Sequence, residues 1–216
     1  LVDCEVVDNT ANLSGGAVYN DGGSLVAENT LFAANGSTMA AGGVMRSVQA
    51  DVTLTDCTLV SNRAIDGDAG AIYHQHGVLT VTGGVIAGNW AEEDAGAVLL
   101  LNAAGSFDGV IFDNNRGSNG GGIRAHTSVT VKNSIFTGNY TIGHGGGVHI
   151  YGSADPEFTN CVFAGNRATG AGGGLYVGTN DVNPAITNCT FVGNHAVSGD
   201  GEGLYIYDSA GAVSSY

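Results

Sequence analysis

Apolar residues recur along this chain in columns. Taking Asn9, Asn35, Asn62, Asn89, Asn115, Asn139, Asn166 and Asn194 as register marks, the intervals are 26, 27, 27, 26, 24, 27 and 28 residues. Three positions before each mark stands Val6, Phe32, Leu59, Ile86, Phe112, Phe136, Phe163 or Phe191. Eight before stands Leu1, Ala27, Leu54, Val81, Phe107, Val131, Phe158 or Ile186, and eight to ten after stands Val18, Val44, Ile72, Val98, Ile123, Val148, Leu175 or Leu204. Between columns the pattern alternates with period two, as in VTLTDCTLV at 52–60 and VTVKNSIF at 129–136, which specifies strands. No 3.6-residue period survives, so no helix is expected.

A near-constant period of this length marks a solenoid, in which each unit packs on its neighbours. The expectation is an all-β, right-handed parallel β-helix of about eight coils of 24–28 residues, one domain spanning 1–216, with about three strands per coil. The hand follows from the fold class that the period fits. With strands stacked about 4.8 Å apart, eight coils make a rod of roughly 35–40 Å.

Polar columns then become ladders. The anchor asparagines are expected at a corner, bonding the asparagine of the next coil and tolerating left-handed backbone angles. A second corner column reads Asp3, Asn29, Asp56, Gly83, Gly109, Asn133, Asn160 and Asn188. All four cysteines, Cys4, Cys57, Cys161 and Cys189, share one column of small residues. Cys4 and Cys57 are two coils apart, about 10 Å, too far for a disulfide, and buried free thiols are expected.

Composition narrows the function. Thirty-seven glycines and a 43% hydrophobic fraction describe a cored chain rich in corners. Twenty acidic residues oppose five arginines and one lysine, a net charge of -14. That balance repels phosphate backbones and anionic bilayers, so neither nucleic acid nor a membrane surface is expected as a partner. No run of 18 apolar residues is present, so no membrane-spanning segment is expected. The chain begins and ends inside a repeat, which suggests a processed protein or a fragment of a longer one.

Two tetrapeptides alternate along the chain. One reads GGAV at 15–18, AGAI at 69–72, AGAV at 95–98, GGGI at 120–123, GGGV at 145–148 and GGGL at 172–175. The other reads FAAN at 32–35, FDNN at 112–115, FTGN at 136–139, FAGN at 163–166 and FVGN at 191–194. In this alternation the chain resembles the chlamydial polymorphic membrane proteins, an autotransporter adhesin family, and related bacterial β-helix surface proteins. The resemblance implies an extracellular or cell-surface passenger, secreted and adhesin-like, that binds a partner. The membrane barrel that full-length members carry at the C-terminus is absent from residues 1–216.

Candidate chemistry lies beside the glycine motifs. The residue before each aliphatic position is small (Ala17, Gly43, Ala71, Ala97, Gly122, Gly147, Gly174, Gly203). The residue after it is Tyr19, Met45, Tyr73, Leu99, Arg124, His149, Tyr176 or Tyr205. Alternation would turn both outward, a flat strip beside a tyrosine-rich column. Tyr19, Tyr73, Arg124, His149, Tyr176 and Tyr205 are accordingly the candidate binding residues for a protein or glycan partner at the cell surface. The alternative is a face covered by the chain's own loops. Asp66 and Asp68 in one coil and Glu92, Glu93 and Asp94 in the next offer oxygen ligands for Ca²⁺, although the nonapeptide calcium repeat is absent. No other cofactor is implied. His74 and His76 are expected on one strand face without a third ligand.

Many right-handed β-helices cleave acidic polysaccharides, so a lyase or hydrolase is one reading. Arg63, Arg116 and Arg167, however, each follow an anchor asparagine, while Arg46, Arg124 and Lys132 stand apart, so no catalytic grouping is seen. An ice-binding face of outward threonine pairs fits Thr53/Thr55 and Thr80/Thr82 and is broken by Glu28, Asp108, Lys132 and Glu157. Two non-enzymatic readings remain: an adhesin-like rod that binds a partner, and a structural protomer whose strand edges stack end to end into filaments.

Overall fold

The computed structural model describes residues 1–152, 155–178, 182–207 and 214–215. Those residues form a right-handed parallel β-helix with four sheets running its length. One coil contributes Asp51–Thr55 to the first sheet, Thr58–Val60 to the second, Arg63–Ala64 to the third and Ile72–Gln75 to the fourth. The sheets hold seven, eight, eight and nine strands. The coil thus has four strands, one more than the periodicity suggests. The extra one is a two-residue strand after each anchor asparagine, too short to show an alternation.

Registers confirm the columns. Val6, Phe32, Leu59, Ile86, Phe112, Phe136, Phe163 and Phe191 are consecutive partners in the second sheet. Phe112, Phe136, Phe163 and Phe191 stack with ring centroids 4.7, 4.9 and 4.7 Å apart. That spacing is the strand spacing itself.

All eight residues of the second corner column take positive φ, from Asn29 at 47° to Gly109 at 70°. Asp, Asn and Gly tolerate that region best. The anchor asparagines do not. The residue before each does: Asp8, Ala34, Ser61, Gly88, Asn114, Gly138, Gly165 and Gly193. The left-handed bend turns the anchor side chain into the rod, where its Oδ1 accepts from the backbone N–H and the Nδ2 of the preceding anchor. Asn115 Oδ1 accepts from Asn89 at 3.0 and 3.0 Å, and Asn115 Nδ2 donates to Asn139 Oδ1 at 3.0 Å and to the Ile86 carbonyl at 2.8 Å. Buried amides are satisfied this way from coil to coil.

One register differs from the sequence reading. Met45, not Val44, pairs with Val18 and Ile72, so Met45 is core and Arg46 joins the column of Tyr19 and Tyr73. An extra residue in that corner shifts the strand by one, and a one-residue slip exchanges faces. The small-residue strip is also not outward. Ala71 and Ala97 are fully buried in the main core. A Cβ on Gly147 would meet the Phe163 ring at 3.2 Å and the Gly174 carbonyl at 2.7 Å. These positions are small because the phenylalanine ladder packs against them before strand alternation begins. All four cysteines are free, with Cys57 and Cys161 buried and Cys4 and Cys189 half-buried. Burial pushes the Cys161 thiol up to about 11.

Candidate functional site

The fourth sheet's outer column is Tyr19, Arg46, Tyr73, Leu99, Arg124, His149, Tyr176 and Tyr205. It points away from the main core, yet only Tyr19, 56% exposed, is open to solvent. Tyr73 and Leu99 are buried with Ala41, Ala69 and Ala95 in a second small core. The corner loops fold back over the strand, which is the covered-face alternative, and Tyr73 is not available as an anchor for a partner. Arg46 lies over the Tyr19 ring at 5.6 Å and the Tyr73 ring at 5.3 Å, and its Nη1 donates to the Tyr19 hydroxyl at 3.1 Å.

Over the last three coils the column widens into an aromatic cluster. His144 stacks on Tyr176 at 4.5 Å, Tyr176 stacks on Tyr205 at 5.1 Å, and His149 meets Tyr176 edge-on at 4.9 Å. Tyr151 and Tyr207 border it, 51% and 43% exposed. Arg124 is paired with Asp94 and lies over Tyr151 at 5.9 Å. His149 is buried with neither ring nitrogen hydrogen-bonded. Burial, then Arg124, His144 and His126, push its pKa down to about 3.

The acidic corner contains part of the expected calcium set. Asp66, Asp68 and Glu93 line a cleft of about 320 Å³ together with Arg46, Tyr73 and Met39. The like charge of Asp68 raises the Glu93 carboxyl. Asp94 faces Arg124 instead. Among the described residues no group of three His, Cys, Asp or Glu is placed to hold a metal ion. His74 and His76 do not share a face. His74 is buried between Ser47 and Leu100, and His76 is exposed at a corner with φ 58°. A wider opening of about 820 Å³, lined by Ile186, Phe191, Leu204 and Ile206, is the core face of the last coil.

A further column escaped the sequence reading. In the third sheet the outward residues are Arg63, Trp90, Arg116, Tyr140, Arg167 and His195, consecutive partners in register. The signal was present, since each follows an anchor asparagine; three of the five arginines occupy one column two coils apart. Arg116 lies over the Tyr140 ring at 5.4 Å. Neither ion pair found among the described residues involves Arg63, Arg116 or Arg167.

Residues 92–215, more than half of the chain, match the family described as right handed beta helix region. No curated protein and no solved structure matches the chain.

Proposed function

The chain belongs to the right-handed β-helix family, and from that premise we propose that it is a non-enzymatic, adhesin-like recognition rod, secreted or displayed at a cell surface, that binds a partner through the outer face of its last three coils. The observation that carries this reading is the cluster of Tyr151, Tyr176 and Tyr205 around His144 and His149, with exposed Tyr207 two residues beyond Tyr205 on the same strand. Rigid tyrosines with few rotors and a polar tip are the side chains on which interfaces concentrate binding energy. Stacking within the column covers the Tyr176 ring with His144 and Tyr205, so its edge and hydroxyl, rather than its face, meet a partner. This favours a protein surface over a sugar ring laid flat.

The hydrolase reading draws little support from the acidic cleft. Glu93 is exposed and its carboxyl is raised mainly by the like charge of Asp68, in a cleft of about 320 Å³, at the small end of the roughly 300–1,000 Å³ of ligand pockets. Filament assembly lacks a comparable supporting observation. The test is binding of fluorescent protein to cultured cells with and without surface proteolysis. Wild type should bind protease-sensitive sites, and the Tyr151→Ala/Tyr207→Ala double variant should bind at least about tenfold more weakly with an unchanged melting temperature. Equal binding by the double variant would remove the face from consideration.

A further inference from the structure

We propose that the third sheet carries a second, separate interaction surface, a cation–aromatic ladder that binds a linear anionic glycan running parallel to the rod axis. Its members are Arg63, Trp90, Arg116, Tyr140, Arg167 and His195, one per coil in unbroken register. Arg63, Arg116, Arg167 and His195 are exposed, and Trp90 and Tyr140 are half-buried between them. On a chain of net charge -14, three arginines with no ion pair among the described residues are an isolated positive line. Surface guanidinium groups ordinarily find some of the carboxylates around them, and twenty are present in this chain.

The spacing selects the polymer. Strand stacking places successive coils about 4.8 Å apart, so the three arginines recur every 10 Å or so and span about 19 Å. A duplex presents a negative charge every 1.7 Å or so of axis, far denser than these cations can match. An extended glycan that alternates a uronic acid with a neutral sugar presents one carboxylate per two-sugar repeat, which matches one arginine per two coils. Between the arginines, Trp90 and Tyr140 meet the intervening neutral sugar, and guanidinium groups bind carboxylates through paired N–H donors.

The flanking surface suits such a ligand. The neighbouring outward column of the second sheet reads Val60, Ala87, Asp113, Thr137, Ala164 and Val192 and holds one carboxylate. Toward the N-terminal end the ladder residues shrink to Thr10 and Gly36, and Arg63 Cγ lies 3.6 Å from the position of a Gly36 Cβ, in ordinary van der Waals contact. The recess this leaves, about 320 Å³, has Arg63 and Asp8 on its walls. His195 at the other end is held by Glu202 at 3.3 Å, so the uncompensated charge lies between Arg63 and Arg167.

The experiment is isothermal titration at low salt with a hyaluronan decasaccharide, in which glucuronate alternates with a neutral amino sugar. Wild type should bind, and each of Arg63→Gln, Arg116→Gln and Arg167→Gln should weaken binding about fivefold. The triple variant should abolish it with its circular dichroism and melting temperature unchanged. A tetrasaccharide, whose two glucuronates can engage only two of the three arginines at once, should bind at least tenfold more weakly. Lys132→Gln, which removes a cation from the first sheet, and the Tyr151→Ala/Tyr207→Ala variant should both bind like wild type, which separates this surface from the tyrosine face. Absence of wild-type binding, equal binding by the folded triple variant, equal binding of a neutral chitin oligomer, or tighter binding of single-stranded DNA than of hyaluronan would each overturn the proposal.

Discussion

His149 is a side chain with no acceptor for a second proton. Arg124 lies one coil before it and Tyr176 one coil after, His144, His126 and Tyr151 close the sides, and the nearby carboxylate of Asp94 is taken by Arg124. Its folded pKa is pushed down to about 3 by burial first and by Arg124 next, against about 6.5 in the unfolded chain. The unfolded state therefore binds the proton more tightly. Stability from this residue is fully present above about pH 6.5 and is lost as pH falls from there toward 3. At pH 5 the loss is about 2 kcal/mol relative to pH 8. Buried His74 and half-buried His126 and His144, also lowered by burial, add to it with the same sign. Urea denaturation at the two pH values should show this drop, and His149→Phe should reduce it by about 2 kcal/mol. An unchanged pH dependence in the variant would show that His149 is hydrated or partnered in solution.

At the scale of elements, the fourth sheet divides the column that the sequence presents as uniform. Tyr19 and Tyr73 both follow the aliphatic residue of their strand, but Tyr73 lies under Ala41, Ala69 and Ala95 while Tyr19 stands clear. Tyr73→Ala should cost about 2–4 kcal/mol of unfolding free energy, as truncation in a small core does, and Tyr19→Ala no more than about 0.5 kcal/mol. Thermal melts of both variants would decide it. Equal small shifts would mean that the corner loops do not pack on the strand in solution. The inner columns were legible from the residues because a parallel coil repeats its environment, so each core position is sampled eight times. The cover was not, because loops 38–42, 65–70 and 92–96 vary in length and composition, and nothing local marks Ala69 or Ala95 as a lid. The slip at Val44 and Met45 was hidden for a related reason: both residues are apolar, and only pairing distinguishes them. The three arginines are legible in the sequence as residues that each follow an anchor asparagine, but only the register of the third sheet brings them into line as one surface.

Across the whole molecule the asparagine ladder links the coils in series, from Asn9 to Asn194. In a solenoid each coil is held by its neighbours, so the same substitution should depend on how many neighbours it has. Asn115→Ala would leave the backbone N–H and Nδ2 of Asn89 without their acceptor and remove the donor to Asn139 and to the Ile86 carbonyl, all inside the rod. Orphaned buried groups cost about 1–3 kcal/mol each, and partial relaxation brings the expected loss to about 2–4 kcal/mol. Asn9→Ala removes an Nδ2 donor at an exposed position, while the Asn9 backbone N–H still donates to Asn35 Oδ1 at 3.0 Å. Its cost should stay below about 1 kcal/mol. Urea titrations of the two variants test the serial picture, with amide exchange expected to be slowest in the coils around Asn89 and Asn115 and faster toward both ends. Equal costs at Asn9 and Asn115, together with uniform exchange, would mean that the rod unfolds as one cooperative block and that its stability is not a sum of coil-to-coil contacts.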